Sequence, residues 1–389
     1  LSSIVQKAKG DKVIWAVVLL LSLLSIIVVY SASAALAAKK DGNSFYFLIK
    51  HSLIIFFGIA IAYFTHKIKY TYYSRISQIL MIIAIPLLLI TLVGGESGGN
   101  ADRWLEIPGT GLTFQTSDFA KLALMMYLAR MLSIKQDQIK DFKSAFLPII
   151  LPIVVTCGLI LPANFSTSAL LFSACLVMMF IGRVNMKYIM MLIGSGVVLF
   201  ALFITVVLAL PENLQKEFRV DTWVSRIDGF MGEDPDKNYQ ADQAKIAIAT
   251  GNVFGQGPGN SMQRNFLPQA SSDFIYAIII EEFGMIGGIS IVFLYLVLMF
   301  RAVRIVTKSP KTFGSFLAIG LCFSLVFQGM INMAVAVNLF PVTGQPLPLV
   351  SMGGTSIWFT SIAIGIILSV SREVEKEEVK EEGGQLEAA

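Results

Sequence analysis

Histidine, cysteine and charge are all scarce in this 389-residue chain, and each scarcity removes a class of function. Its 2 histidines, His51 and His66, have no companion nucleophile near the outward-facing segments derived below, so a Ser-His-Asp hydrolase is unsupported. The 3 cysteines, Cys157, Cys175 and Cys322, lie in apolar segments without CxxC or Cys/His ligand spacing, which argues against a disulfide framework and a structural zinc. Charged residues make up 14% of the chain against 55% hydrophobic, and the mean hydropathy is +0.72. A length that would otherwise suggest two or three soluble domains therefore reads as a polytopic membrane protein. No nucleic-acid partner is expected.

What is abundant is apolar sequence in long runs. A helix crossing about 30 Å of hydrocarbon needs about 20 such residues. Runs of this kind fall at 13–36, 45–64, 76–93, 113–133, 145–162, 167–182, 188–210, 273–300, 313–338 and 349–370. They predict an all-α polytopic membrane protein of about ten transmembrane helices with one large loop, 211–272, between spans seven and eight. The first run is long enough to span and lacks a small-residue cleavage pattern, so it reads as a span and not as a removable signal.

Orientation follows from the basic residues, which are retained on the cytoplasmic side of a span. Lys7, Lys9 and Lys12 precede span one; Lys67, Lys69 and Arg75 follow span two; Lys135, Lys140 and Lys143 follow span four. Arg183 and Lys187 follow span six, and Arg301, Arg304, Lys308 and Lys311 follow span eight. The connection after span three is net acidic, and those after spans five and nine carry no charge; only Lys39 and Lys40 run against the pattern. Residues 1–12 and 371–389 thus read as cytoplasmic tails, the latter a solvated, flexible extension rich in Glu and Lys. Residues 13–370 form the membrane domain, and the 211–272 loop faces outward, beyond the reach of cytosolic ATP. A reaction there requires a substrate that arrives already activated.

Ionisable residues inside spans are costly unless paired or hydrated, so they mark sites. Lys121 on span four lies about eight residues, or roughly 12 Å, below the outer surface, and Glu281 and Glu282 on span eight reach a similar depth. Lys121 is thus within reach of either glutamate across the bundle and of Asp118, three residues before it on the same helical face. Such a pair is either a structural bridge or a substrate contact. Asp273, at the mouth of span eight, reads equally as the N-cap of that helix or as a catalytic carboxylate. On the outer loop, Tyr239–Thr250 alternates polar residues, Gln240 and Gln243 among them, with apolar ones in the manner of a short interfacial helix. Gly251, Gly255, Gly257 and Gly259, with Pro258, Asn260 and Ser261, then form a turn that reads either as a plain tight loop or as a source of backbone N–H groups for a phosphate. Near span ten, Asn332, Pro341, Thr343, Gly344, Pro346, Pro348, Ser351, Gly353, Gly354 and Ser356 imply irregular backbone at membrane depth, which survives only beside protein or a wet cavity. A polar cavity opening outward is expected there.

At these residues a resemblance becomes specific. The stretch GQGPGNSMQRNFLPQASSDFIY from Gly255 to Tyr276, followed by Glu281-Glu282-Phe283-Gly284, is similar to a signature of the SEDS proteins (shape, elongation, division and sporulation). Arg103-Trp104-Leu105, Gln115 to Lys121, and Pro346 to Ser356 resemble further signatures of that family in the same order, so the likeness covers nearly the whole chain. Within the family, Gly257 to Arg264 resembles the division (FtsW) branch more than the elongation (RodA) branch. Two positions depart from the pattern: Asp118 stands where the family usually has Glu, and Asn164, in Pro162–Thr167, stands where it usually has Asp.

The resemblance implies a peptidoglycan glycosyltransferase that polymerises lipid II at the outer face of the bacterial cytoplasmic membrane. The implied partners are a class B penicillin-binding protein transpeptidase and other divisome membrane proteins. Lipid II carries its activation in a sugar–pyrophosphate bond, which suits a site without ATP. The chemistry needs a base for the acceptor 4-hydroxyl and positive charge for the departing pyrophosphate. Asp273 is the candidate general base. Candidate substrate contacts are Arg103, Trp104, Lys121, Gln240, Gln243, Asn260, Ser261 and Ser351, with Asp118, Glu281 and Glu282 supporting. A divalent cation, Mg²⁺ by preference, between pyrophosphate and carboxylates fits this chemistry, with no ligands assigned. The rival from another class is a transporter or flippase of a lipid-linked precursor, with Lys121 and Glu281 as a central site.

Overall fold

The computed structural model describes residues 10–33, 44–94, 96–97, 102–107, 112–208, 230 and 235–388. Every apolar run read as a span contains a helix among the described residues. In chain order these are α1 (Lys12–Ala32), α2 (Ser44–Lys67), α3 (Tyr70–Gly94), α4 (Thr116–Ile134), α5 (Leu147–Ile160), α6 (Phe165–Ile181) and α7 (Met186–Leu208). After them come α8 (Pro235–Gly251) from the long loop, α9 (Ile275–Lys308), α10 (Thr312–Ala336) and α11 (Thr355–Ala388). Helix is the form that meets every backbone polar group internally, as hydrocarbon demands. Among the described residues, 7 helices are long and apolar enough to cross a membrane: α1, α2, α3, the Phe142–Ile160 run that includes α5, α9, α10 and α11. Shorter apolar stretches come from Phe165–Ile181 and Met186–Val198. Large side chains such as Phe56, Ile82 and Phe293 point outward from the bundle, where lipid rather than water suits them.

α4 and α10 form the centre. α4 carries Asp118, Lys121 and Arg130, yet it is buried on most of its surface from Ala120 to Leu132. α10 packs on α9, α4, α11 and α6. It comes close because glycines face its neighbours: a Cβ on Gly320 would meet Met178 at 2.8 Å, and one on Gly329 would meet the Tyr295 ring at 3.1 Å.

Three features differ from the sequence reading. Span four was expected from Thr113, but Leu112–Gln115 is the third strand of a small antiparallel sheet of β1 (Glu96–Ser97), β2 (Asp102–Ile107) and β3 (Leu112–Gln115), in that order. Leu112-Thr113-Phe114-Gln115 alternates with period two, the strand signature, before helical periodicity begins at Thr116. Trp104 pairs with Glu96 on one side and Gln115 on the other. Span ten was expected from Leu349; instead 345–354 is irregular and α11 starts at Thr355. α11 then runs on to Ala388, so the segment read as a flexible extension is helical. Its Glu and Lys residues are good helix formers, and Glu373 pairs with Lys376 one turn on at 2.8 Å.

The end of the bundle that holds Asp11 and Ser371 is tied by ions. Asp11 caps α1 by accepting from the Val13 and Ile14 amides, at 2.9 and 3.3 Å. The same carboxylate takes a forked contact from Arg301 of α9, both nitrogens at 2.6 Å. Ser371 and Glu375 of α11 accept from the Asp11 and Gly10 amides, and Lys308 meets Glu378 at 2.5 Å.

α9 is interrupted. At 1.5 Å per residue its 34 residues would span about 51 Å, more than the hydrocarbon needs. Gly284, at φ 69 and ψ −172, breaks it into 275–283 and 285–308. A break strands carbonyls on one half and amides on the other, and the chain after α8 meets both. Gln256 and Gly257 donate to the Glu281 and Glu282 carbonyls at 2.9 and 3.0 Å, while Met285 and Ile286 donate to the Asn252 and Val253 carbonyls at 2.9 and 3.4 Å. The approach admits no side chain: a Cβ on Gly284 would sit 2.1 Å from the Val253 oxygen, and one on Gly255 2.2 Å from the Glu282 oxygen. α8 itself is more than an interfacial helix. Its Ala241, Ala244 and Ala247 are buried, and α8 packs along α9 so closely that a Cβ on Gly251 would sit 2.1 Å from the Ile280 oxygen.

Candidate functional site

At the opposite end, the irregular 345–352 segment is the surface on which the candidate site is built. Its backbone lacks a helix ladder, so side chains must satisfy it. Gln328 and Asn332, one turn apart on α10, do most of this. Gln328 donates to the Pro346 carbonyl at 2.8 Å, and Asn332 donates to the Gln345 carbonyl at 2.7 Å. Tyr295 of α9 donates to the Pro348 carbonyl. The Gln345 side chain reaches Thr167 at 2.7 Å, in the first turn of α6. Asn164 caps that helix through the Thr167 amide at 3.2 Å, which gives the departure from the family's acid a plain structural role.

Asp273 is seated on the same surface. Asn332 donates also to the Asp273 carbonyl, at 2.7 Å. Ser351 donates to the Ser272 carbonyl at 2.5 Å and accepts from the Leu347 amide at 2.7 Å; the Met352 amide donates to Ser271 at 2.8 Å. Hydrogen bonds to their carbonyls therefore fix the two residues before Asp273 and Asp273 itself. Phe274, not Asp273, takes the N-cap position of α9. The Asp273 side chain is half-buried beside Gly344, where a Cβ would lie 3.6 Å from Oδ2.

Lys121 lies at the other side of this segment. Its ammonium bonds Asp118 Oδ1 at 2.7 Å and Gln328 Oε1 at 3.2 Å. Of the partners open to it in the sequence, the structure selects Asp118. An ammonium has three donors, and these two acceptors leave one. Among the described residues, Asp118 Oδ2 is buried without a hydrogen-bond partner. Lys121, Asp118, Gln328, Ser351 and Ser356 line a cavity of about 580 Å³, counting its open mouth, between α4, α10, α11 and the 346–351 segment. Gln328 thus bridges the lysine to the segment that seats Asp273.

Glu281 and Glu282 are occupied elsewhere. Glu281 accepts from the Ser261 hydroxyl and from the Met262 and Gln263 amides, the latter at 3.0 and 3.2 Å. Glu282 accepts from Ser31 of α1, which in turn accepts from Arg264 at 2.9 Å. The glycine turn does not cradle an anion with Gln256 and Gly257, whose N–H groups are spent on the break in α9. Asn260 closes that turn onto the Gln256 carbonyl at 2.9 Å. Gln240 and Gln243 are half-buried on α8. Arg103 and Trp104 lie in β2, with side chains outside the described residues.

Gln328, Gln345, Thr167, Arg264 and Ser31 were not singled out from sequence. The readable signal was the pair of amides four apart in an otherwise apolar α10, since uncharged polar groups in a span also need partners. Among the described residues no three His, Cys, Asp or Glu side chains converge as metal ligands. The described residues do not by themselves form a metal cage.

Comparison with known proteins gives a consistent picture. Residues 11–376 match the family described as cell cycle protein, FtsW/RodA/SpoVE. The chain is 34% identical over 333 residues to a probable peptidoglycan glycosyltransferase FtsW from Trichlorobacter lovleyi, covering 84% of each. It is 34% identical over 335 residues to stage V sporulation protein E of Bacillus subtilis, covering 85% of this chain and 88% of that one. A chain from a structure on coordination of polymerization and crosslinking by a peptidoglycan synthase complex superposes with a TM-score of 0.71 at 23% identity, covering 94% and 98%. Thermus thermophilus RodA superposes at 0.66 and 22% identity, covering 94% and 97%.

Proposed function

We propose, from the premise that this chain belongs to the FtsW/RodA/SpoVE family of cell cycle proteins, that it is a peptidoglycan glycosyltransferase polymerising lipid II in the cytoplasmic membrane of a bacterium. The observation that carries the site assignment is the seating of Asp273 by Asn332 and Ser351 on the segment that also bears the Lys121 cavity. Asp273 takes the proton of the acceptor sugar's 4-hydroxyl; the oxygen attacks the donor's anomeric carbon, and the bond to pyrophosphate breaks. Undecaprenyl pyrophosphate leaves with the bonding pair. Lys121, neutralised at rest by Asp118, offers its remaining N–H to the growing negative charge. Arg103 and Trp104 on β2 and Ser351 at the cavity complete the substrate contacts. A divalent cation such as Mg²⁺ enters the reading only as a companion of the pyrophosphate.

Both chain ends face the cytoplasm and the site faces outward in this reading. The basic residues at the ends of α2, α4, α6 and α9 support it, because they share the end of the bundle that holds Asp11 and Arg372. A class B penicillin-binding protein is the proposed partner, in line with the neighbour whose title pairs polymerization with crosslinking. Septal synthesis, with other divisome membrane proteins, is the proposed setting, in line with the FtsW relatives.

The test is polymerisation of labelled lipid II by purified chain, with and without the transpeptidase and with and without a chelator. Wild type should give glycan ladders, and Asp273→Asn should lose about 10²–10⁴ in rate while inserting normally. Near-normal ladders from the variant would remove the base assignment. Absence of ladders together with lipid II crossing liposomes would replace the polymerase by a flippase.

A further inference from the structure

One anchor of the 345–352 segment comes from the far side of the bundle. Leu349 sits at φ 63, in the left-handed region, where a branched residue persists only if its surroundings over-determine it. The next carbonyl, that of Val350, accepts the hydroxyl of Ser25, a fully buried residue of α1, at 2.7 Å. The same Oγ lies 2.8 Å from Nε2 of His51 on α2, itself 1% exposed. Valence fixes the proton between them. A serine hydroxyl has one hydrogen and a carbonyl has none, so Ser25, in donating to Val350, must accept from His51. His51 therefore carries its hydrogen on Nε2. Nδ1, buried with no partner among the described residues, is then the bare nitrogen, and the neutral ring leaves no N–H unsatisfied.

We propose that His51, acting through Ser25, is a positioning residue for the transferase site: it aims the Ser25 hydroxyl at Val350, and so fixes the neighbouring Ser351–Ser272 contact that seats Asp273. Neither residue touches substrate. The proposal rests on Asp273 being the base. It separates His51 from an ordinary buried histidine, whose replacement by any side chain of similar bulk would be tolerated.

The polymerisation assay with the full chain tests it through Ser25→Ala, His51→Leu and His51→Gln, whose amide N–H reaches the Nε2 position. Ser25→Ala and His51→Leu should lower kcat by about 10- to 100-fold, with KM for lipid II changing less than about twofold. His51→Gln should recover most of the rate. Wild-type kcat in both Ser25→Ala and His51→Leu overturns the proposal, and so does a His51→Leu defect that glutamine fails to repair. For variants that do not fold, the wild-type protein gives a second reading. Labelled with ¹⁵N-histidine it carries 2 signals-bearing residues, His51 and His66, assigned through His66→Gln. A neutral Nε2–H ring at His51 is expected; an Nδ1–H tautomer or an imidazolium overturns the proposal. This readout contains no catalysis, so its failure is distinct from an active Asp273→Asn, which would remove the base assignment alone.

Discussion

At the end of the bundle that carries Asp273, carbonyls of an irregular segment are met by amide and hydroxyl side chains, whereas at the opposite end finished helices are tied by ion pairs. Gln328, Asn332, Tyr295, Ser351 and Ser25 each satisfy a backbone group that would otherwise be stranded in an apolar medium. Asp11–Arg301 and Lys308–Glu378 join the ends of regular helices, beside the few side-chain bonds that cap those ends. A short directional bond to a fixed carbonyl sets position; a partly exposed ion pair sets proximity and tolerates change. The site end has precision because its backbone gave up the helix.

Substitutions should sharpen that contrast in graded fashion. Gly284→Ala combines an unfavourable φ with a Cβ 2.1 Å from a carbonyl oxygen, and should cost about 3 kcal/mol or more. Low yield of detergent-stable protein would register it. Asn332→Leu strands the Asp273 and Gln345 carbonyls, and should cost about 1–3 kcal/mol. Its polymerisation rate should fall at least about tenfold, because the bond to Asp273 goes with it. Arg301→Gln leaves the Asp11 cap in place but removes the forked partner, a loss of about 2 kcal/mol visible in thermal unfolding. Polymerisation per folded molecule should be unchanged, and a loss there would erase the distinction between the two ends. Lys308→Gln touches a pair 42% and 41% exposed, and should cost under about 0.5 kcal/mol, less again at high salt.

The helices were legible because each is a long local pattern. Length and hydropathy register a helix whether or not its neighbours are known, and α1 to α7 and α9 to α11 all announced themselves this way. The sheet of β1, β2 and β3 did not, since its strands are too short for periodicity to outweigh the apolar run that follows. Asp273 stood out as an acid at a span mouth, and Asp118 and Lys121 as ions within one. Their bonding was only half readable. The Asp118–Lys121 spacing is local, while the capture of Glu281 by residues 261–263 depends on a break at Gly284 that a single glycine in a helix does not reveal. Gln328 was missed because its importance lies in where the 346–351 segment passes, a matter of tertiary placement.

The break in α9 has an electrostatic consequence. Each helix half carries its own macrodipole, so a negative terminus and a positive one meet at Gly284, each worth about half an elementary charge. The 252–257 backbone presents N–H groups to the first and carbonyls to the second. It thereby cancels both partial charges with peptide dipoles alone and recruits no ionised side chain to do so. The carboxylates of Glu281 and Glu282 are left to fasten the 261–264 turn and α1 around it.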